Sequence, residues 1–126
     1  MTLVLDAGVF VAVERGERGL AALLKAELAA RRVPVTHGAV IGQVWRGGAG
    51  RQAPVARLLA ATEVVAVDDA LGRQAGLLLA RTGLADVVDA ALVLLASDDD
   101  LILTSDVRDL KVLAAASGTH VELVPV

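Results

Sequence analysis

Three aspartates in the second half of the chain stand where chemistry could be done. Residues 84–110 read L-A-D-V-V-D-A-A-L-V-L-L-A-S-D-D-D-L-I-L-T-S-D-V-R-D-L, with Asp86 and Asp89 three residues apart at the start of an apolar helical pattern. The short apolar run 101–104 then ends two residues before Asp106. Side chains at i and i+3 share a helix face, so Asp86 and Asp89 can point the same way. A fourth acid, Asp6, directly follows the apolar run 2–5 at the other end of the chain. Carboxylates crowded together repel one another unless a cation lies between them, and hard oxygen donors of this kind suit Mg²⁺ or Mn²⁺. A cation so held can position a phosphodiester and activate water, which is the logic of metal-dependent nucleases.

Each acid also has a plainer reading. Asp6, standing after a strand, reads equally as a turn former or helix N-cap. Asp86 reads as the cap of its helix, whereas Asp89 has apolar neighbours within the helix and is less well explained that way. Asp109, one turn past Asp106, reads equally as support for a site and as surface. Asp68-Asp69 reads as a helix cap, and Asp98-Asp99-Asp100 as a solvated turn on the opposite rim. His37 and His120 lack metal-ligand spacing.

The elements that must position these acids follow from hydrophobic patterning. Strands are expected at 2–5, 33–36, 63–67, 101–104 and 121–124, the first of them apolar on both faces as buried parallel strands are. Helices are expected near 9–14, 20–32, 37–46, 53–61, 70–81, 86–97 and 107–116. The helix at 20–32 shows apolar residues at 20, 23, 24 and 28, with Lys25, Glu27 and Arg31 opposite. Gly47, Gly48 and Gly50 follow a helix rather than a strand, which argues against a phosphate-cradling loop. Strands alternating with helices give an α/β fold with a mainly parallel, five-stranded sheet. In such sheets the ligand lies beyond the carboxyl ends of the strands, at the switch point of strand order. If strands one and four are neighbours, Asp6 and Asp106 meet there and the helix carrying Asp89 closes over them.

Composition bounds the partners. The 126 residues are expected to form one domain, 1–126, with 56% hydrophobic content and only Phe10 and Trp45 as aromatics. A net charge of −3 gives no global basic field for nucleic acid, so local arginines or bound cations would have to supply the attraction. Only Lys25 and Lys111 are lysines among twelve basic residues, a bias that suits bidentate phosphate contacts or simply a GC-rich genome. The absence of cysteine excludes disulfides and zinc–thiolate sites. No signal peptide is recognisable, and no apolar run approaches the roughly 20 residues that span a bilayer. The expected location is the cytoplasm, with no membrane partner.

The segments T-L-V-L-D-A-G-V-F-V-A-V-E-R-G, D-V-V-D-A-A-L-V-L-L-A and L-I-L-T-S-D-V-R-D-L resemble the three acidic motifs of PIN domains. More narrowly, the chain is similar to the VapC-type toxins of bacterial toxin–antitoxin pairs, over essentially its whole length and in the right order. That resemblance implies a three-layer α/β/α PIN-like fold and a Mg²⁺- or Mn²⁺-dependent endoribonuclease that cleaves RNA by metal-activated water. It implies a homodimer neutralised by a small VapB-like antitoxin. Its catalytic and metal-holding acids map onto Asp6, Asp89 and Asp106, with Thr104 or Ser105 as a supporting hydroxyl. PIN domains normally carry a glutamate on the helix after strand two, in a segment like x-x-x-x-E-V-x-R-G. Here Gln43 takes that place, removing one negative charge, and Asp86 could partly compensate as a further metal ligand.

The alternative reading is a catalytically degenerate PIN domain that keeps antitoxin or RNA binding, with Gln43 as its motive. A phosphoacceptor receiver domain would need paired acids after strand one and a lysine after strand five, and neither is present. A haloacid-dehalogenase-like site fails because Gly8 occupies the second position of D-x-D. The apolar helices around residues 20–60 are a place for an antitoxin to dock. Trp45, with Arg46 and Arg51, is the candidate contact for partner or substrate, or else a core tryptophan.

Overall fold

The computed structural model describes residues 1–47 and 50–126. Gly48 and Ala49, within the expected glycine-rich loop, lie outside the described residues. In chain order the elements are β1 (Leu3–Leu5), α1 (Ala7–Glu14), α2 (Arg18–Ala29), β2 (Val35–His37), α3 (Gly38–Val44), α4 (Ala53–Ala60), β3 (Glu63–Val65), α5 (Asp69–Thr82), α6 (Val87–Leu94), β4 (Leu101–Thr104), α7 (Val107–Ser117) and β5 (Glu122–Pro125). The strands form one sheet of order β3-β2-β1-β4-β5, and every adjacent pair is parallel. Packing places α1 with α2, α3 and α4, while α5, α6 and α7 pack on one another as the third layer.

Short aliphatic strands suit this arrangement because both faces of a parallel sheet are covered. Val4, Leu5, Ile102 and Leu103 are fully buried at its centre, and the fully buried Phe10 packs from α1. Leu78 from α5 and Leu92 from α6 are equally buried. The chain order runs outward through β1, β2 and β3, then crosses by α5 and α6 to β4 on the other side of β1. The switch point therefore lies between β1 and β4, whose register pairs Leu3 with Leu101 and Leu5 with Leu103.

Local signals set the boundaries. Asp68 caps α5 by accepting from the Leu71 amide at 2.9 Å. Gly83 and Gly118 end α5 and α7 in the left-handed region, at φ 73° and 75°, where a side chain would be strained.

Two expectations are corrected by tertiary context. Asp100 is buried rather than solvated: Oδ1 accepts from the Thr2 amide and Oδ2 from the Ser97 amide, both at 2.8 Å. It clips the amino end of β1 to the turn before β4. Glu27, placed by periodicity on the solvent face, is buried and held by Arg32 through bonds of 2.7 and 3.1 Å. The mate lies five residues away, past the end of α2, so helix spacing alone does not reveal it. Among the described residues no helix is long and apolar enough to cross a membrane.

Candidate metal centre

The carboxyl ends of β1 and β4 bring Asp6 and Asp106 to the same rim. The Asp6 amide continues the ladder by donating to Leu103 O at 3.1 Å. Its side chain is 6% exposed. Oδ1 accepts from the Ala7 amide at 2.7 Å, as an N-cap does, and Oδ2 accepts from Thr104 Oγ1 at 2.6 Å. The plain reading of Asp6 as an N-cap holds for Oδ1, while Oδ2 is tied to the Thr104 hydroxyl. The fully buried Thr104 hydroxyl also accepts from the Asp106 amide at 2.9 Å, so one side chain sets the relation of the two acids. Asp106 stands at the N-cap of α7 but makes no side-chain capping bond, which leaves its exposed carboxylate free.

Helix α6 delivers the third acid. Asp86 is its cap, accepting from the Val88 amide at 2.9 Å and the Asp89 amide at 3.2 Å. Asp89, in the first turn, is 7% exposed and faces the rim. The fully buried His37 fixes the start of this helix. Its Nδ1 accepts from the Ala39 amide at 3.2 Å, so Nε2 carries the proton donated to Val88 O at 2.9 Å. His37, which lacks metal-ligand spacing, is therefore a tie between the starts of α3 and α6.

Burial is the main reason that the Asp89 carboxyl is pushed up from its ordinary 3.8 to about 7, with the charges of Asp86, Asp6, Asp106 and Asp109 adding to it. Among the described residues, no Lys, Arg or His pairs with any of these five acids; the ion pairs are Arg32–Glu27, Arg51–Glu14 and Arg73–Asp69. A buried carboxylate among like charges holds its proton or takes a cation.

One oxygen from each of Asp89, Asp106 and Asp109 lies within 4.8 Å of the other two. A divalent cation with bonds of about 2.0–2.4 Å spans such a gap, and an all-carboxylate set is the donor chemistry that Mg²⁺ and Mn²⁺ prefer. The residues fit the implied ion. Asp109 is the member whose part the sequence leaves open; its place is legible only from α7, where i and i+3 put it beside Asp106. Asp6 is not one of this trio, but its charge acts on Asp89 and helps raise its pKa.

The remaining candidates are less central. Gln43 is exposed on α3 and makes no side-chain hydrogen bond among the described residues. Ser105 is exposed, but its Oγ and Cβ occupy the space that a side chain on Gly8 would need. Trp45 is 40% exposed and so is not a core residue. Arg46 turns its Nη1 back onto Gly42 O and Trp45 O, at 3.0 and 2.8 Å, and Arg51 Nε stands 3.2 Å from Glu14 Oε1. Neither guanidinium is unengaged. Buried Gln52 holds this loop through the Arg46 amide and Val44 O, a clip that periodicity could not reveal.

No protein-family model matches the chain, and no curated protein matches it in sequence. Among solved structures it is similar to a chain of the crystal structure of VapBC2 from Rickettsia felis bound to a DNA fragment from their promoter. The TM-score is 0.70 at 13% identity, covering 98% of this chain and 98% of that one. The likeness is one of fold: the chain has the three-layer, all-parallel PIN-like architecture that its acidic motifs resemble.

Proposed function

We propose that the chain is a divalent-cation-dependent endoribonuclease of the VapC-like toxin kind. The observation that carries this reading is the meeting of Asp6, Asp89, Asp106 and Asp109 at the switch point with no cationic side chain paired to them among the described residues. Asp89, Asp106 and Asp109 would hold Mg²⁺ or Mn²⁺, with Asp6 adding negative charge. When bound, the ion would supply Lewis-acid polarisation of a phosphate oxygen and an activated water. The chain's own part is orientation and charge. Thr104 fixes Asp6 Oδ2 and the Asp106 backbone together, while Asp86 and His37 fix the first turn that carries Asp89. Asp89 would have to give up its proton to ligate, so occupation of the site would strengthen as pH rises towards about 7.

The same reading carries a VapB-like antitoxin, a homodimer and a cytoplasmic location. A groove between α1, α2 and α4 supports the first: Val13, Leu24, Leu28 and Leu58 line it, and Lys25 and Arg57 flank it. That surface suits an amphipathic helix with acidic flanks. Gln43 favours a second reading, a PIN-like domain that binds partner or RNA without cutting. Against it, Asp109 contributes a carboxylate to the trio without help from position 43.

The test is RNA cleavage with Mg²⁺ or Mn²⁺, with and without chelator, by the wild-type chain and Asp106→Asn. Cleavage that needs the cation and is lost in the variant is the expected result. Equal rates in both chains would sink the mechanism.

A further inference from the structure

The turn that carries Asp106 lies close against Gly8 of α1. A Cβ built on Gly8 would lie 2.7 Å from Ser105 Oγ, 2.9 Å from Ser105 Cβ and 3.2 Å from Ser105 N. The hydroxyl could swing away by rotation about χ1, but the Cβ and the amide cannot move without the backbone. Gly76, for comparison, has nothing within 4 Å of its added Cβ. Nor does Gly8 meet a demand for unusual backbone geometry, since it is absent from the residues of positive φ. Its missing side chain is therefore explained by this contact alone, in a helix where alanine is otherwise the better residue.

The contact sits inside the site's own frame. Gly8 is two residues from Asp6, and Ser105 lies between Thr104 and Asp106. Thr104 Oγ1 binds Asp6 Oδ2 on one side and the Asp106 amide on the other. A shift of Ser105 moves the Asp106 backbone against a hydroxyl whose second partner, Asp6, is fixed on α1. We propose that Gly8 and Ser105 are a matched positioning pair, in which the side chain absent from one is replaced in space by the side chain of the other. Their fit sets the separation between the start of α1 and Asp106, and hence the reach of Asp106 towards Asp89 and Asp109. This rests on the metal-centre reading only for its effect on cation affinity; the effect on geometry stands without it.

Four chains test it: Gly8→Ala, the double variant Gly8→Ala/Ser105→Gly, the control Gly76→Ala, and wild type. Two quantities are read: Mn²⁺ affinity by calorimetry, and exchange of the Asp106 amide hydrogen by NMR in chelator. Gly8→Ala is expected to weaken Mn²⁺ binding about 10- to 100-fold, as loss of a ligand's support does, and to speed exchange at Asp106. The double variant should recover most of both, and Gly76→Ala should change neither. Unchanged affinity and exchange in Gly8→Ala, or a loss that Ser105→Gly does not repair, would overturn the proposal. If Gly8→Ala does not fold, the double variant decides: affinity and exchange near wild type support the pair, and loss of both refutes it. If wild type binds no Mn²⁺, the metal-centre reading fails, and the exchange pattern at Asp106 alone decides the pair.

Discussion

Thr104 and Asp6, ninety-eight residues apart in sequence, are joined by a 2.6 Å hydrogen bond at the carboxyl ends of adjacent strands. Because the same hydroxyl accepts from the Asp106 amide, Thr104 couples two acids of the rim rather than orienting one. Thr104→Val keeps the shape but leaves Asp6 Oδ2 and the Asp106 amide without their partner. Leaving a buried polar group unsatisfied costs about 1–3 kcal/mol, so denaturant unfolding should show a loss of that order. Cleavage should fall about 10- to 100-fold. Thr104→Ser, which keeps the hydroxyl, should lose much less of both.

Asp89 makes the metal-free protein sensitive to pH in a definite direction. Its folded-state pKa of about 7 lies above the ordinary 3.8. Between those values the folded chain holds a proton that the unfolded chain has released, so stability falls as pH rises through that window. The slope is at most about 1.4 kcal/mol per pH unit. In chelator, the unfolding midpoint should therefore drop between pH 5 and pH 8 more in wild type than in Asp89→Asn. The same substitution should raise stability at pH 8 while removing cation binding. A midpoint in Asp89→Asn below wild type at pH 8 would contradict the electrostatic account.

Added cation should reverse that loss. A ligand that binds only the folded state at 100 times its Kd stabilises by about 2.7 kcal/mol. Thermal scans at pH 8 should show Mn²⁺ raising the midpoint of wild type and leaving that of Asp89→Asn unmoved.

Asp109→Asn tests the residue whose role the sequence left open. The carboxamide keeps the size and one oxygen but removes the charge, so Mn²⁺ affinity should fall at least about tenfold, within the range expected of a ligand's loss of support. A surface Asp109 would leave affinity unchanged.

Gln43→Glu separates a working site from a degenerate one. Gln43 is exposed and makes no side-chain hydrogen bond among the described residues, and the trio of Asp89, Asp106 and Asp109 comes together without it. The expected gain in Mn²⁺ affinity and cleavage is below about tenfold, less than 1.4 kcal/mol. A far larger gain, from an inactive starting chain, would favour the degenerate reading.

Strands β1 and β4 were legible as buried aliphatic runs beside Asp, with β4 placed at its observed bounds, whereas β3, expected over 63–67, ends at Val65 and is largely exposed. Helix α6 was shorter than its apolar pattern, ending at Leu94 rather than 97, because the segment after it turns to meet the Asp100 clip. Asp6 and Asp106 were readable from strand ends, and Asp86 from its place before an apolar helix. What stayed hidden depends on long-range partners: the Glu27–Arg32 pair across a helix end, Asp100 bound to Thr2, Gln52 closing the loop after α3. The Gly8–Ser105 contact is of the same kind, since nothing near Gly8 in sequence announces what lies against it.

Crystals soaked in Mn²⁺ show whether Asp89, Asp106 and Asp109 together hold a divalent cation. Diffraction at the manganese edge should give an anomalous peak between these three carboxylates, and the peak should be missing in Asp89→Asn. No peak at the rim of β1 and β4 under saturating Mn²⁺, or a peak held by other residues, would contradict the account.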